Sequence, residues 1–216
     1  MTTTEQQSTL QQQRLVDQRL LKAVQQFGLD FDHPDLQAFK ASLANWGSEW
    51  QARGQQYLAA ADMLDNAVNL SAPATRQLLE LFAAQKHQLR WEQSYKKSDA
   101  VVSDAMLNGY AFAEVVGLRG PFISDRIRCG IGVWGPHLLY PKHQHQAEEI
   151  YLVLGGSAEF DIEGNITMAT AGSLLKVESL AEHGFQTFAE PLVVYYLWQS
   201  GNLREISRFI PPETRQ

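Results

Sequence analysis

The chain has 216 residues, 44% hydrophobic and 19% charged, enough to bury the core of one ordinary domain or a domain with a sizeable appendage. A formal net charge of −6, with no stripe of Lys and Arg along any segment, lacks the electrostatic footprint that nucleic acid or an anionic membrane surface requires. The single cysteine, Cys129, excludes an intrachain disulfide. No base stands beside Cys129 in the sequence, so it reads as a small residue packed in a strand. Residues 1–8 lack the basic start and apolar stretch of a signal peptide, and no apolar run reaches the roughly 20 residues of a membrane span. The expectation is a cytoplasmic protein.

Up to about residue 95 the spacing is helical. Leu10, Arg14, Leu15, Leu20, Leu21, Val24 and Phe27 recur three and four apart, predicting a first helix with a frayed, glutamine-rich opening and a stop at Gly28. Asp32-His33-Pro34 reads as a cap followed by an early proline. It opens a second helix with Leu36, Phe39, Leu43, Trp46 and Trp50, ending near Gly54. Tyr57, Ala61, Leu64 and Val68 outline a third. Ser71 and Pro73 open a fourth, through Leu78, Leu79, Phe82, Leu89 and Trp91. From about residue 110 the pattern changes to short Val, Ile, Tyr and Phe runs broken by glycine, over residues 110–116, 127–134, 149–154, 157–162, 173–177 and 192–198. Strands this short and evenly spaced predict an antiparallel sandwich or barrel. The fold class is therefore α+β. A helical region over residues 1–98 packs on a C-terminal antiparallel β-barrel over residues 99–216, joined near Lys96-Lys97-Ser98-Asp99. The helical half can cap the barrel, form a homodimer interface, or do both.

The chemistry concentrates between Tyr140 and Tyr151. His143, His145, Glu149 and Tyr151 share parity, so in a regular strand their side chains project to one side. Glu148 faces the other way. Two imidazoles and a carboxylate converging on one interior point suit a divalent first-row metal, and His183, after Gly172, falls where a neighbouring strand would return. A His-x-His pair alone is equally consistent with two core or surface histidines. Here three of only six histidines fall into one constellation, together with a glutamate of the right parity. His33, His87 and His137 are read as surface or capping residues.

His143-x-His145-x-x-x-Glu149 followed by Gly156 resembles the first motif of the cupins, and Gly172 to His183 resembles the second. His137 replaces the glycine usual before the first histidine, with Gly135 nearby. The second motif lacks its proline, and Thr187 replaces its asparagine. Within the cupins, the run Tyr140-Pro-x-His143-x-His145-x-Ala-Glu-Glu149-x-Tyr151, with Gly155-Gly156, His183 and Pro191-Leu-x-x-x-Tyr-x-Trp198, resembles the dimethylsulfoniopropionate (DMSP) lyases and lyase-like relatives. Trp91-x-Gln-x-Tyr95 suits that family too.

The resemblance implies a jelly-roll barrel behind helices and a lyase that splits DMSP into dimethyl sulfide and acrylate. It implies one divalent transition metal ion on His143, His145, Glu149 and His183, with iron, zinc, nickel, cobalt and manganese all compatible. It makes Tyr151 the base, with Tyr140 beside it. A substrate with a fixed positive charge is best held on aromatic faces. Tyr140 and Trp198 match the family there, and Trp134 and Tyr196 could extend the wall, although each alone would serve equally well as barrel core. Two other readings stay open: another metallo-cupin, such as an iron-dependent dioxygenase or an isomerase on a different small acid, and a non-catalytic sensor.

Overall fold

A computed structural model describes residues 3–47, 49–99, 102–205 and 207–210. The helices are α1 (Thr3–Asp30), α2 (Gln37–Ala44), α3 (Met63–Asn69), α4 (Pro73–Gln85) and α5 (Asp104–Gly109). The strands are β1 (Tyr110–Gly117), β2 (Phe122–Ile123), β3 (Ile127–Trp134), β4 (Leu139–Gln144), β5 (Glu148–Ile162), β6 (Asn165–Thr170), β7 (Leu174–Val177), β8 (His183–Gln186), β9 (Leu192–Gln199) and β10 (Arg208–Phe209). No helix among the described residues is long and apolar enough to cross a membrane.

The helices come close to their expected places, with instructive differences. Gly28 does not stop α1. It continues the buried stripe Asp17, Leu20, Val24 and Gly28, because a Cβ there would lie 2.6 Å from the Tyr195 hydroxyl and 2.9 Å from Leu43. Leu10 and Leu15, counted in the expected stripe, are exposed, and the helix already runs from Thr3. The second helix ends at Ala44, well before Gly54, and Trp50 instead bridges Phe122 while its indole donates to the buried Asp17 carboxylate at 2.8 Å. At the start of α4 the Ala72 N–H donates to Thr75 Oγ1, and that hydroxyl donates to the Leu154 carbonyl at 2.6 Å, tying the helix start to β5. His33 caps a short helical turn, accepting from the Asp35 N–H, while His87 packs on Tyr57. Cys129 is buried in β3.

The strands form one curled sheet in the order β10-β4-β8-β5-β9-β3-β1-β2, with β6 and β7 also on β5. All pairings are antiparallel except the two-residue β1–β2 contact, which is parallel. Two expected strands, 149–154 and 157–162, are one. β5 passes through Gly155 and Gly156 with a register shift, pairing β9 and β7 before them and β6 and β8 after them. Gly156 has φ +77°, and a Cβ there would fall 1.6 Å from the Pro191 carbonyl oxygen, so the chain can make this bend only with glycine.

Alternation along the strands separates two cores. Ala111, Ala113, Cys129, Ile131, Ile150, Leu152, Val193 and Tyr195 face the helices and pack with Leu20, Phe39, Leu64 and Phe82. Tyr110, Trp134, Tyr151, Val153, Leu192 and Val194 face the concave interior. Burial on both faces is why these strands read as unbroken apolar runs rather than as alternation.

Candidate active site

Register across the sheet sets the interior groups in rows. One row holds Arg128, Trp198 and Glu149; the next holds Glu114, Gly130, Tyr196 and Tyr151. The facing wall comes from β4 and β8, where His143 pairs with His183 and Tyr140 with Phe185. A register shift between Tyr140 and His143 lets both face inward despite opposite parity. The expected unbroken strand does not exist, since β4 ends at Gln144 and β5 starts at Glu148. His145 sits on the connection and is held by its own Nδ1, 2.9 Å from the Ala147 carbonyl.

The same device orients the other two imidazoles. His143 Nδ1 lies 2.9 Å from the Pro141 carbonyl, and His183 Nδ1 lies 2.8 Å from that of Ala181. A carbonyl only accepts, so each Nδ1 carries the proton and each Nε2 is left with its lone pair turned inward. All three rings are buried, and they offer ligand atoms within 4.8 Å of one another. Glu149 Oε2 is 3.0 Å from His145 Nε2 and 3.4 Å from His183 Nε2, and His183 Nε2 has no hydrogen-bond partner among the described residues. Lone pairs and a carboxylate at such separations repel unless a proton or a cation lies among them. The donor set therefore fits a metal ion, with His143, His145 and His183 as its nitrogen donors and Glu149 able to add an oxygen.

Burial favours neutral imidazole at His143, and with His183 beside it the pKa falls well below the ordinary 6.5. Burial alone would raise the Glu149 pKa, but a proton shared with the facing His145 and His183, of the kind these contacts call for when no cation lies among them, holds it at about 2, against an ordinary 4.5. Both shifts are depressions and act in one direction. The stability they confer is present at neutral pH, begins to be lost as pH falls past 6.5 when the unfolded His143 takes up a proton, and declines further from 4.5 towards 2. Thermal melting between pH 8 and pH 4 should show a steady acid-side loss of stability, and a His143→Gln variant should lose the first part of it.

A cavity of about 70 Å³ opens beside the cluster. Its walls include His143, Glu149, Tyr140, Tyr151, Trp134, Tyr196 and Trp198, so every aromatic expected from the sequence reaches it. Their environments differ. Trp134 stands edge-on to Tyr140 at 5.4 Å and folds over Gly132, where a Cβ would meet its ring at 2.4 Å. Trp198 has the His145 ring 4.0 Å away and the Arg128 guanidinium 4.8 Å from its own ring, so it also braces a metal-site imidazole. The Tyr196 hydroxyl and the Trp134 indole N–H are buried without hydrogen-bond partners among the described residues. Burial raises the Tyr151 pKa well above 10, and the Glu149 carboxylate adds to this. Tyr140 is raised likewise, first by burial and then by Tyr95 and Tyr110.

Sequence reasoning did not single out the ion pair on the far wall. Arg128 Nε donates to Glu114 Oε2 at 2.7 Å, and Glu114 Oε1 accepts from the backbone N–H groups of Arg119 and Gly120. The signal was present in β3, where alternate positions read Arg128, Gly130, Gly132, Trp134: an inward arginine on a strand whose interior face beside it is kept bare by glycine. Glu114→Gln would leave a buried guanidinium without its counter-ion, and urea unfolding should show a loss of about 3–5 kcal/mol. Tyr110, Phe112, Arg119, Ser94, Glu205 and Ser207 also line the cavity and were not foreseen.

The DMSP lyase (dimethylsulfoniopropionate lyase) family model matches residues 35–194, spanning both the helices and the sheet. DMSP lyase DddQ of Ruegeria pomeroyi is 29% identical over 154 residues, covering 71% of this chain and 75% of the relative. The crystal structure of DddQ from R. pomeroyi superposes with a TM-score of 0.80 at 25% identity, over 93% of this chain and 98% of that one. A chain from the crystal structures of the DMSP lyases RdDddP and RnDddQII does so at 0.80 and 26% identity, over 92% and 99%. With a family model covering most of its length and both halves of its architecture, the chain belongs to the DMSP lyase family, on a cupin fold.

Proposed function

We propose that this protein is a metal-dependent carbon–sulfur lyase that converts DMSP to dimethyl sulfide and acrylate. The observation that carries the proposal is the pairing of two features within one cavity. Three histidines, each anchored through Nδ1, converge beside buried Glu149, and Tyr151 follows two residues later on the same interior face. Family membership supplies the substrate class. In this reading residues 99–216 supply most of the reaction vessel and the helices of residues 1–98 cover its outer face, with Ser94 and Tyr95 reaching the interior.

The reaction is a β-elimination. The base takes a proton from the carbon next to the carboxylate, the C–H electron pair becomes the carbon–carbon double bond, and the C–S bond breaks with its pair leaving on neutral dimethyl sulfide. The difficulty is the proton, since charge builds beside an existing carboxylate. When bound on His143, His145, His183 and Glu149, a divalent cation would act as a Lewis acid for that carboxylate and supply the positive field that favours the Tyr151 phenolate. Tyr151 is the base and receives the proton at its phenolic oxygen. Its buried position excludes water from that oxygen, and Tyr140, on the facing strand, bounds the space in which the substrate carbon chain must lie. Trp134, Tyr196 and Tyr140 present ring surface to the sulfonium, which offers no N–H or O–H to any acceptor. Trp198 keeps the His145 ring in place.

The test is direct. Metal-loaded protein incubated with DMSP should release dimethyl sulfide and acrylate in equal amounts, followed by gas chromatography and liquid chromatography. Protein that holds its metal yet releases no dimethyl sulfide above background would sink the lyase reading. The search would then turn to other small carboxylates and to oxygen consumption.

A further inference from the structure

The geometry points to Glu205 as a specificity-determining residue for the positively charged end of the substrate. The inference rests on the lyase reading only for the identity of that cation.

After β9 the chain returns towards β4 beside the cavity, and its described residues 200–205 and 207–210 make a strap. It is fastened at one end where the Asn202 N–H donates to Gln146 Oε1, and at the other where the Ile210 N–H donates to the Lys142 carbonyl and Phe209 packs 4.2 Å from Tyr95. Glu205 and Ser207 on this strap line the same cavity as Tyr140, Tyr151 and Trp134. Two carboxylates line that cavity, Glu149 and Glu205. Glu149 is engaged by His145 and His183. Glu205 is half engaged: Oε1 pairs with Arg208 at 2.6 Å, out where Arg208 is 75% exposed, while Oε2 is buried and accepts no hydrogen bond from any described residue.

A buried carboxylate oxygen without a donor is costly, and a protein keeps one where something else meets it. A group that donates hydrogen bonds would compete with Arg208 for the carboxylate. A permanent cation with no N–H does not; it needs only negative charge and aromatic surface at close range. Oε2 supplies the charge, and the aromatic rings around the cavity supply the surface. In a site largely emptied of water, charge of opposite sign counts for more than it would at the protein surface.

Two probes separate charge from shape. Trimethylammoniopropionate carries the fixed cation but has no sulfur leaving group, and its isostere with a tert-butyl head has the same outline without the charge. Binding of both to metal-loaded protein, measured by isothermal titration calorimetry, should favour the cation by about tenfold or more in Kd. Glu205→Gln, which keeps size and fold, should bring the two probes close to parity by weakening the cationic one alone. On DMSP it should raise KM by a similar factor with kcat changed little, and melting temperature and metal content serve as controls. Arg208→Gln frees the carboxylate while removing the ion pair, and should keep or strengthen the preference for the cation. The assignment is overturned if the wild type shows no such preference, if Glu205→Gln weakens both probes equally, or if Arg208→Gln weakens cation binding as much as Glu205→Gln, because Glu205 would then only pin the strap. None of the binding readouts depends on turnover. A wild type that prefers the cation yet leaves DMSP intact would therefore refute the lyase reading and leave Glu205 standing.

Discussion

Tyr151→Phe should lower kcat for DMSP cleavage by roughly 10²–10⁴-fold, the range over which a positioned base acts, while metal content and melting temperature stay near wild type. The substitution removes one oxygen and keeps the ring that packs 5.5 Å from Phe160 and 6.2 Å from Phe185. Without a cation, burial and the neighbouring Glu149 carboxylate hold the proton on this phenol, and a bound divalent ion would act against both. The sign follows: wild-type activity should climb on the alkaline side as the phenol ionises, and the variant should lose that limb of the profile. Tyr140→Phe is the comparison. Its phenol is also held protonated, but it lies on the facing strand against His143, so the expected change falls on KM more than on kcat. Retention of most of kcat by Tyr151→Phe, with collapse in Tyr140→Phe, would exchange the two roles.

The second large effect is expected at His183. Its Nε2 is buried without a hydrogen-bond partner among the described residues, its ring lies 4.1 Å from that of His143, and its Nδ1 is fixed by the Ala181 carbonyl. His183→Ala removes a donor from the middle of the cluster and takes away one of the two imidazoles facing Glu149. Changing a group that only orients a metal ligand costs roughly 10–100-fold in affinity. Removing the ligand itself should cost more, and dimethyl sulfide release should drop to background. Metal analysis after dialysis, alongside the activity assay, checks both. An apo variant that still turned over DMSP at the wild-type rate would take the histidine cluster out of the reaction. Thermal unfolding adds a further readout, because metal should raise the melting temperature of the wild type and leave that of His183→Ala nearly unchanged.

The sequence by itself determined the division into a helical half and a stranded half, and it singled out the side chains that the fold gathers into the buried histidine cluster. Both are local properties. Period-three-to-four spacing of Leu20, Val24, Leu36, Phe39 and Leu43 needs no tertiary context, and His143, His145, Glu149 and Tyr151 are crowded into one short stretch with an unusual composition. The parity argument selected Glu149 over Glu148 although its premise, one unbroken strand, does not hold. Glu149 and Tyr151 do share a strand, and the connection carrying His145 turns that ring back towards them.

Only the tertiary structure decided the rest, because the rest depends on contacts between residues far apart in the chain. The inward turn of Tyr140 comes from a register shift against β8. The role of Gly28 depends on Tyr195, 167 positions away, since 195 − 28 = 167. The Arg128–Glu114 pair joins two strands, and Arg128 then reaches over Trp198 on a third. The strap that carries Glu205 to the cavity has no periodicity to announce it, and only the pairing of β10 with β4 brings it back beside the cavity. Side-chain type and spacing encode which residues can do chemistry; register, bulges and the path of the connecting segments fix which of them meet.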